Sequence, residues 1–361
     1  MFKLENISLT QFRNYGQAAF TFPQNVTGFC GKNGSGKTNL LDAIYYMCFL
    51  LIFFGKADLQ NVQQGKQGFR LDGQIILKDN SHNITCVLRE NGKKEFGVNN
   101  ENYTRFAAHI GKFPCVMIAP DDVGIITGIS EERRKFIDYT ISQLDAAYLQ
   151  TLIDYNKILQ QRNSLLKQFA DSGNMDENLM EVISAQLAVA GNFIYSRRSQ
   201  FLQGFIPVVL TLYQSIAESE EKLTITYQSH LKSTDFKNIL LKNKAKDIAL
   251  QRTTQGIHRD DLELELENYP FKTTASQGQR KCLLFALKLA EFEVLLQHKG
   301  FPPLLLLDDI FEKLDENRMK NLLFKGCVEN KGQVFITDTH CNRLKEALEQ
   351  LQVPHEIIAL E

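Results

Sequence analysis

Gly31-Lys32-Asn33-Gly34-Ser35-Gly36-Lys37-Thr38 satisfies GxxxxGK[ST] at every fixed position. The segment follows an alternating apolar stretch that includes Val26 and Phe29. After it, over residues 39–54, apolar residues return at helical spacing. The order is therefore strand, glycine loop, helix, the context this motif requires. Glycines let the backbone curl so that consecutive N–H groups face an anion, and the following helix adds the positive end of its dipole. Lys37 is then expected to reach the β and γ phosphates of a nucleotide such as ATP. Thr38 offers its hydroxyl to Mg²⁺, and Asn39 joins the same site.

At 361 residues the chain is long enough for about two domains, or one with a large insertion. Apolar residues at 43% and charged residues at 23% are ordinary globular proportions. A net charge of -1 means that no whole-molecule field draws the chain to DNA or to an anionic membrane, so any nucleic-acid contact must come from a local patch. The seven cysteines form no CxxC pair and fit reduced, mostly buried thiols. Residues 1–15 alternate where a signal peptide would be basic and then apolar. The apolar run 45–54 is too short to span a bilayer and reads as a buried helix end. The expectation is a cytoplasmic protein with no membrane partner.

Residues 3–29 read as two or three strands, and residues 69–98 as further strands punctuated by Lys78-Asp79-Asn80 and Asn91-Gly92. From Ser130, apolar residues recur every three to four positions through Phe136, Ile141, Tyr148, Tyr155 and Leu159, which predicts one long amphipathic helix. A second follows at about 177–205, and strand-like runs resume at 223–227 and 262–266.

Two further motifs carry chemistry. Pro302-Pro303-Leu304-Leu305-Leu306-Leu307-Asp308-Asp309 reads as a buried parallel strand opening at its C-terminal edge onto a ligand crevice, and it could lie beside the phosphate loop. Asp308 would hold Mg²⁺, and Asp309 would orient the water that attacks the γ phosphate. Ser276-Gln277-Gly278-Gln279-Arg280 opens an amphipathic helix with Ser276 at the N-cap position, a second anion site. One chain cannot easily aim two helix N-termini at one γ phosphate, so a second subunit is the economical solution.

The phosphate loop, the SQGQ helix start, the LLLLDD strand and Phe311-Glu312-Lys313-Leu314-Asp315 resemble the ABC-type ATPase heads shared by SMC, transporter and recombination proteins. Four further blocks resemble the RecF family of bacterial recombination mediators. They are Phe12-Arg13-Asn14-Tyr15, Arg133-Arg134-Lys135-Phe136-Ile137-Asp138, Gly256-Ile257-His258-Arg259-Asp260-Asp261 and Gln333-Val334-Phe335-Ile336-Thr337. The resemblance implies an α/β, SMC-like P-loop ATPase head with an antiparallel β subdomain and an inserted helical lobe. Residues 1–115 and 221–361 would form the ATPase lobe and residues 116–220 the helical one. It further implies that Lys37, Thr38 and Asp308 bind nucleotide and magnesium, and that Asp309 is the catalytic carboxylate. Ser276, Gly278 and Gln279 would reach the partner's nucleotide, Arg13 would contact nucleotide, and Asp315 would belong to the inter-subunit loop. The implied function is an ATP-driven homodimeric clamp on double- and single-stranded DNA at gaps or junctions, acting with RecO and RecR to load RecA in DNA repair. The signature is SQGQ where transporters have SGGQ, and Asp309, one methylene shorter than the Glu that many such ATPases carry, suggests slow turnover.

His340 lies near the place of a switch histidine in such ATPases, and His258-Arg259-Asp260 reads first as an ion-pair turn. Basic clusters at Arg133-Arg134-Lys135, Arg197-Arg198 and Lys242, Lys244, Lys246 could contact phosphates or form solvated faces. The rival readings fit less well. A transporter ATPase predicts SGGQ and a surface for a membrane partner. An SMC protein needs hundreds of residues of heptads, and a GTPase needs a guanine-reading motif.

Overall fold

The computed structural model describes residues 2–49, 58–172, 176–217, 221–312, 316–329 and 332–361. The chain divides into two compact units, Met1–Asp122 with Ser215–Glu218 and Lys281–Glu361, and Val123–Gln214 with Ser219–Arg280.

The first unit begins with β1 (Phe2–Phe12), β2 (Tyr15–Thr21) and β3 (Val26–Cys30) and continues through the helix Lys37–Phe49. β4 (Phe69–Leu77), β5 (Asn80–Leu88), β6 (Lys94–Val98), β7 (Glu101–Asn102) and β8 (Cys115–Ile118) follow. One sheet is antiparallel, ordered β2-β1-β4-β5-β6-β7. The alternation of buried Leu4, Ile7 and Leu9 with half-exposed neighbours is what one covered face requires. Buried side chains of this sheet, of the helix Lys37–Phe49 and of β8 share one hydrophobic core. At Gly73 of β4 an added Cβ would stand 2.2 Å from Met47 Cε of that helix, so a larger residue there would make the Met47 side chain shift.

The second unit carries the helices Ser130–Leu144, Ala146–Ser172, Glu177–Ala217, Phe236–Lys242 and Lys244–Ala249. It also holds β9 (Leu223–Gln228), β10 (Asp261–Leu266) and β11 (Tyr269–Pro270) in the order β11-β10-β9. The single long helix expected from Ser130 is interrupted at Asp145, whose backbone is extended and whose carboxylate accepts the amides of Ala147 and Tyr148. The apolar spacing continues across this break, and the competing Asp cap decides the local geometry. Residues 221–280, expected with the ATPase lobe, group with the helices instead. Ion pairs inside this unit, such as Arg162 to Asp247 at 2.8 Å and Arg198 to Asp260 at 3.0 Å, join that stretch to the helices.

The chain returns to the first unit through the helix Gln277–Lys299 to β12 (Leu304–Leu307), β13 (Val334–Asp338), the helix Cys341–Gln350 and β14 (His355–Ala359). These strands complete a parallel sheet ordered β14-β3-β13-β12-β8. β13 stands between the Asp-Asp strand and the strand that leads into the phosphate loop. The all-cysteine-thiol expectation is also corrected, since Cys30 and Cys341 are disulfide-bonded with their Cα atoms 5.1 Å apart. Cys48, Cys86, Cys115, Cys282 and Cys327 are free and buried. Residues 50–54 and Asp315 lie outside the described residues. Among the described residues, no helix is long and apolar enough to cross a membrane.

Candidate nucleotide site

Parallel strands end on one edge of their sheet, and the loops leaving that edge bring distant residues together. Here β3 delivers the loop Gly31 to Gly36, and β12 delivers Asp308 and Asp309. Asn33, Gly34, Gly36, Lys37, Thr38, Asn39, Asp308 and Asp309 line one cavity of about 170 Å³. Thr38 Oγ1 donates to Asp308 Oδ1 at 3.1 Å, joining residues 270 positions apart. Lys37 Nζ donates to the carbonyls of Gly31 and Lys32 at 2.7 and 2.9 Å, so its charge lies across the loop.

The loop's shape depends on glycine, as Gly34 and Gly36 show. Gly34 has φ +87° with open space where a side chain would start. Gly36 has φ +105° and is overlain by Asn14 and Tyr15. Tyr15 Oη donates to the Gly36 carbonyl at 3.1 Å, and Asn39 Nδ2 donates to Asn14 Oδ1 at 2.8 Å. The Phe12-Arg13-Asn14-Tyr15 segment therefore braces the phosphate loop from the β1–β2 turn. Arg13 donates to Asn39 Oδ1 at 2.7 Å and to Asn61 Oδ1 at 3.3 Å, and it is ion-paired with the buried Asp42. It thus abuts the site through Asn39, which lines the cavity.

Asp308 is buried, and burial pushes its carboxyl upward, while the hydroxyls of Thr337 and Thr38 favour the ionised form. Thr337 on β13 donates to Asp308 Oδ1 at 2.7 Å and accepts the Asp309 amide at 2.8 Å. It is fully buried and was not among the residues expected from sequence, where a threonine in an apolar strand reads only as a β-former. Asp309 itself has φ +47°, a left-handed backbone that is uncommon outside glycine and Asn/Asp.

The residues fit a magnesium nucleotide. A Lys, a nest of loop amides at a helix N-terminus, a hydroxyl and a carboxylate are the donor set for a triphosphate with its metal. Ser35 Oγ is also buried without a hydrogen-bond partner among the described residues, the kind of orphaned donor that a ligand oxygen would satisfy.

The SQGQ segment belongs to the other unit. Gln279 N–H donates to Ser276 Oγ at 3.2 Å, and the Ser276 amide donates to Gln279 Oε1 at 2.6 Å, a reciprocal capping box. Gln279 Nε2 also donates to Glu221 at 2.7 Å. Ser276 is exposed at this helix start and Gly278 is half-buried beside it.

The remaining expected sites resolve into structure. Arg198 is fully buried, donating to Asp138, Asp260 and the Ile257 carbonyl. Arg133 pairs with Asp261 at 2.6 Å, and Arg134 donates to the Asp260 carbonyl at 2.6 Å. The Arg-Arg-Lys and His-Arg-Asp-Asp blocks are therefore two sides of one internal network. Arg133, Arg134 and Arg198 are engaged in it through these bonds. His258 Nδ1 meets Tyr155 Oη at 2.8 Å and Nε2 meets the Thr253 carbonyl at 3.2 Å. Burial lowers this imidazole to about 4, so it is neutral and structural. His340 is exposed at the N-cap of the helix Cys341–Gln350. Lys242 and Lys246 are exposed.

A phosphate loop joined to an Asp-Asp strand through a third parallel strand, beside an antiparallel sheet, defines an ABC-like ATPase head. A family model described as RecF/RecN/SMC N terminal domain matches residues 3–357. DNA replication and repair protein RecF of Flavobacterium johnsoniae is 41% identical over 357 residues, covering 99% of both chains. That of Phocaeicola vulgatus is 38% identical over 360 residues, covering 99% of this chain and 96% of the relative. A solved structure of the recombination mediator protein RecF with ATP superposes with a TM-score of 0.87 at 32% identity, over 94% of this chain and 92% of the other. An Smc head domain from Pyrococcus furiosus, at TM-score 0.56 and 14% identity, shares the fold over 100% of this chain and 94% of its own. The chain belongs to the RecF family.

Proposed function

We propose that the protein is an ATP-dependent DNA clamp of recombinational repair and replication, acting in the cytoplasm. The observation that carries this reading is the Thr38–Asp308 hydrogen bond in one cavity with Lys37 and Asp309, inside a chain of RecF ancestry. Lys37 turns from the Gly31 and Lys32 carbonyls to the phosphates, and the loop amides from Gly31 to Gly36 take up the remaining phosphate oxygens. Asn39 and Arg13 border the same nucleotide. Thr38 and Asp308 hold Mg²⁺, which when bound neutralises phosphate charge. Asp309 orients the attacking water: its oxygen bonds to the γ phosphorus while the bond to the β–γ bridging oxygen breaks, ADP leaves with that electron pair, and the water's proton passes toward the carboxylate.

ATP closes a homodimer in which Ser276, Gly278 and Gln279 of one protomer cover the nucleotide of its partner. DNA, double-stranded with single-stranded gaps or junctions, is held through its backbone, and hydrolysis is weak and DNA-dependent. Exposed Lys242 and Lys246 supply charge for such contacts. RecO, RecR and RecA are the partners, in keeping with a structural relative described as part of the RecFOR pathway.

Sedimentation of the wild type, Lys37→Met and Asp309→Asn, each with and without ATP and a gapped duplex, tests this. The wild type should dimerise with ATP, Asp309→Asn should dimerise more persistently, and Lys37→Met should remain monomeric. A wild type that is monomeric in every condition overturns the clamp. Unchanged nucleotide affinity in Lys37→Met overturns the site.

A further inference from the structure

We propose that Thr337 is a positioning residue of this ATPase site, one hydroxyl that sets the place of both acidic residues at once. The inference rests on the reading of Asp308 and Asp309 given above and adds a group that this reading does not contain.

A hydroxyl has one proton and two lone pairs. Thr337 Oγ1 directs its proton to Asp308 Oδ1 at 2.7 Å and accepts the Asp309 N–H at 2.8 Å. Its donor is therefore committed to the metal-side carboxylate and an acceptor to the backbone of the water-side one. Strand order explains why this residue can do so. β13 is inserted between β3 and β12, so its last turn outward lies between the phosphate loop and the acid pair. Thr337 is in register with Phe29, one residue before the end of β3. Asp308 Oδ1 receives a second hydroxyl from Thr38, so the oxygen is fixed from the β3 side and from β13 together. At Asp309 the φ of +47° must be held by its surroundings, and the Thr337 hydroxyl is the acceptor of that residue's own amide. A strand residue with the same shape but no hydroxyl would leave the fold's outline intact and both carboxylates less determined.

The test uses the full chain and three substitutions. Thr337→Val keeps the shape and deletes the hydroxyl, Thr337→Ser keeps the hydroxyl and deletes a methyl, and Lys37→Met reports on the parent site. Affinity for a fluorescent ATP analogue is measured with and without Mg²⁺, alongside single-turnover hydrolysis. Thr337→Val is expected to bind metal-free nucleotide within about threefold of wild type and to lose most of the affinity that Mg²⁺ adds. It should also hydrolyse roughly 10- to 100-fold more slowly, in the range of a lost positioning contact. Thr337→Ser should recover both properties to within about threefold.

A Thr337→Val protein with wild-type magnesium dependence and rate overturns the proposal, as does a Thr337→Ser protein as impaired as Thr337→Val, since the methyl group would then be what matters. Unchanged nucleotide affinity in Lys37→Met overturns the parent reading and this proposal with it. Loss of affinity in Lys37→Met beside wild-type behaviour in Thr337→Val overturns the proposal alone. Should Thr337→Val not yield folded protein, Thr337→Ala, which likewise lacks the hydroxyl, takes its place with the same expectations.

Discussion

A methyl group on Gly36 would stand 2.6 Å from Asn14 Nδ2 and 2.8 Å from Tyr15 Oη, on a backbone whose φ is +105°. Gly36→Ala is therefore expected to cost about 1–3 kcal/mol in stability from strain alone. It should also lower nucleotide affinity by more than about tenfold, because the loop must move off Asn14 and Tyr15. Urea denaturation and nucleotide titration check the two effects separately. The loop itself was legible in the sequence, since its spacing encodes a backbone shape. Its bracing by Asn14 and Tyr15 was visible only as a resembling motif, because nothing in the residues alone says which turn will lie on the loop. Thr337 stood in the sequence only as the last residue of a resembling block with no role attached, as its value lies in facing Asp308 across a strand boundary. Burial raises the Tyr15 phenol to about 12, so it remains a neutral donor to Gly36 and the brace should be indifferent to pH across the physiological range.

Helices and strands of the second unit are joined by buried charge, and that makes the element scale sensitive to single truncations. Arg198 reaches Asp138 and Asp260, and Arg162 reaches Asp247. Removing one partner strands the others in low dielectric, so Arg198→Ala should destabilise this unit by about 3–5 kcal/mol, read as an earlier urea transition. His258 adds a pH dependence whose sign follows from its pKa, lowered by burial to about 4 from an ordinary 6.5. The unfolded chain binds the proton first, so stability is full above about 6.5 and declines as pH falls toward 4. The contribution is about 3 kcal/mol at most. Buried His109 in the first unit, lowered likewise to about 4, has the same sign. Denaturation of wild type and His258→Gln between these pH values should show a shallower decline in the variant. At this scale the periodicity placed most helices and strands correctly. It missed the break at Asp145, where a side-chain cap competes with a continuous apolar stripe, and it could not reveal that two blocks 126 residues apart, at Arg134 and Asp260, form one network.

Across the whole molecule, Cys30 and Cys341 are 311 positions apart and bonded, one at the end of β3 and one at the start of the helix after β13. Unfolded protein isolated without reductant should titrate five thiols, the five free cysteines, and seven after reduction. Seven before reduction would contradict the bond. Scattered cysteines gave no sign of this pair, because sequence spacing is silent about residues that sheet closure makes neighbours. The parallel sheet also has a temporal side. Both neighbours of β3, β13 and β14, come from residues 334–359, more than 300 positions after the strand they flank. During synthesis the glycine loop must therefore wait, with one sheet edge on either side of β3 unpaired, until residues 334–359 have left the ribosome. Such long-range pairing folds slowly and leaves β3 open to wrong partners meanwhile, so nascent chains stalled before residue 334 should capture no nucleotide and should lean on chaperones.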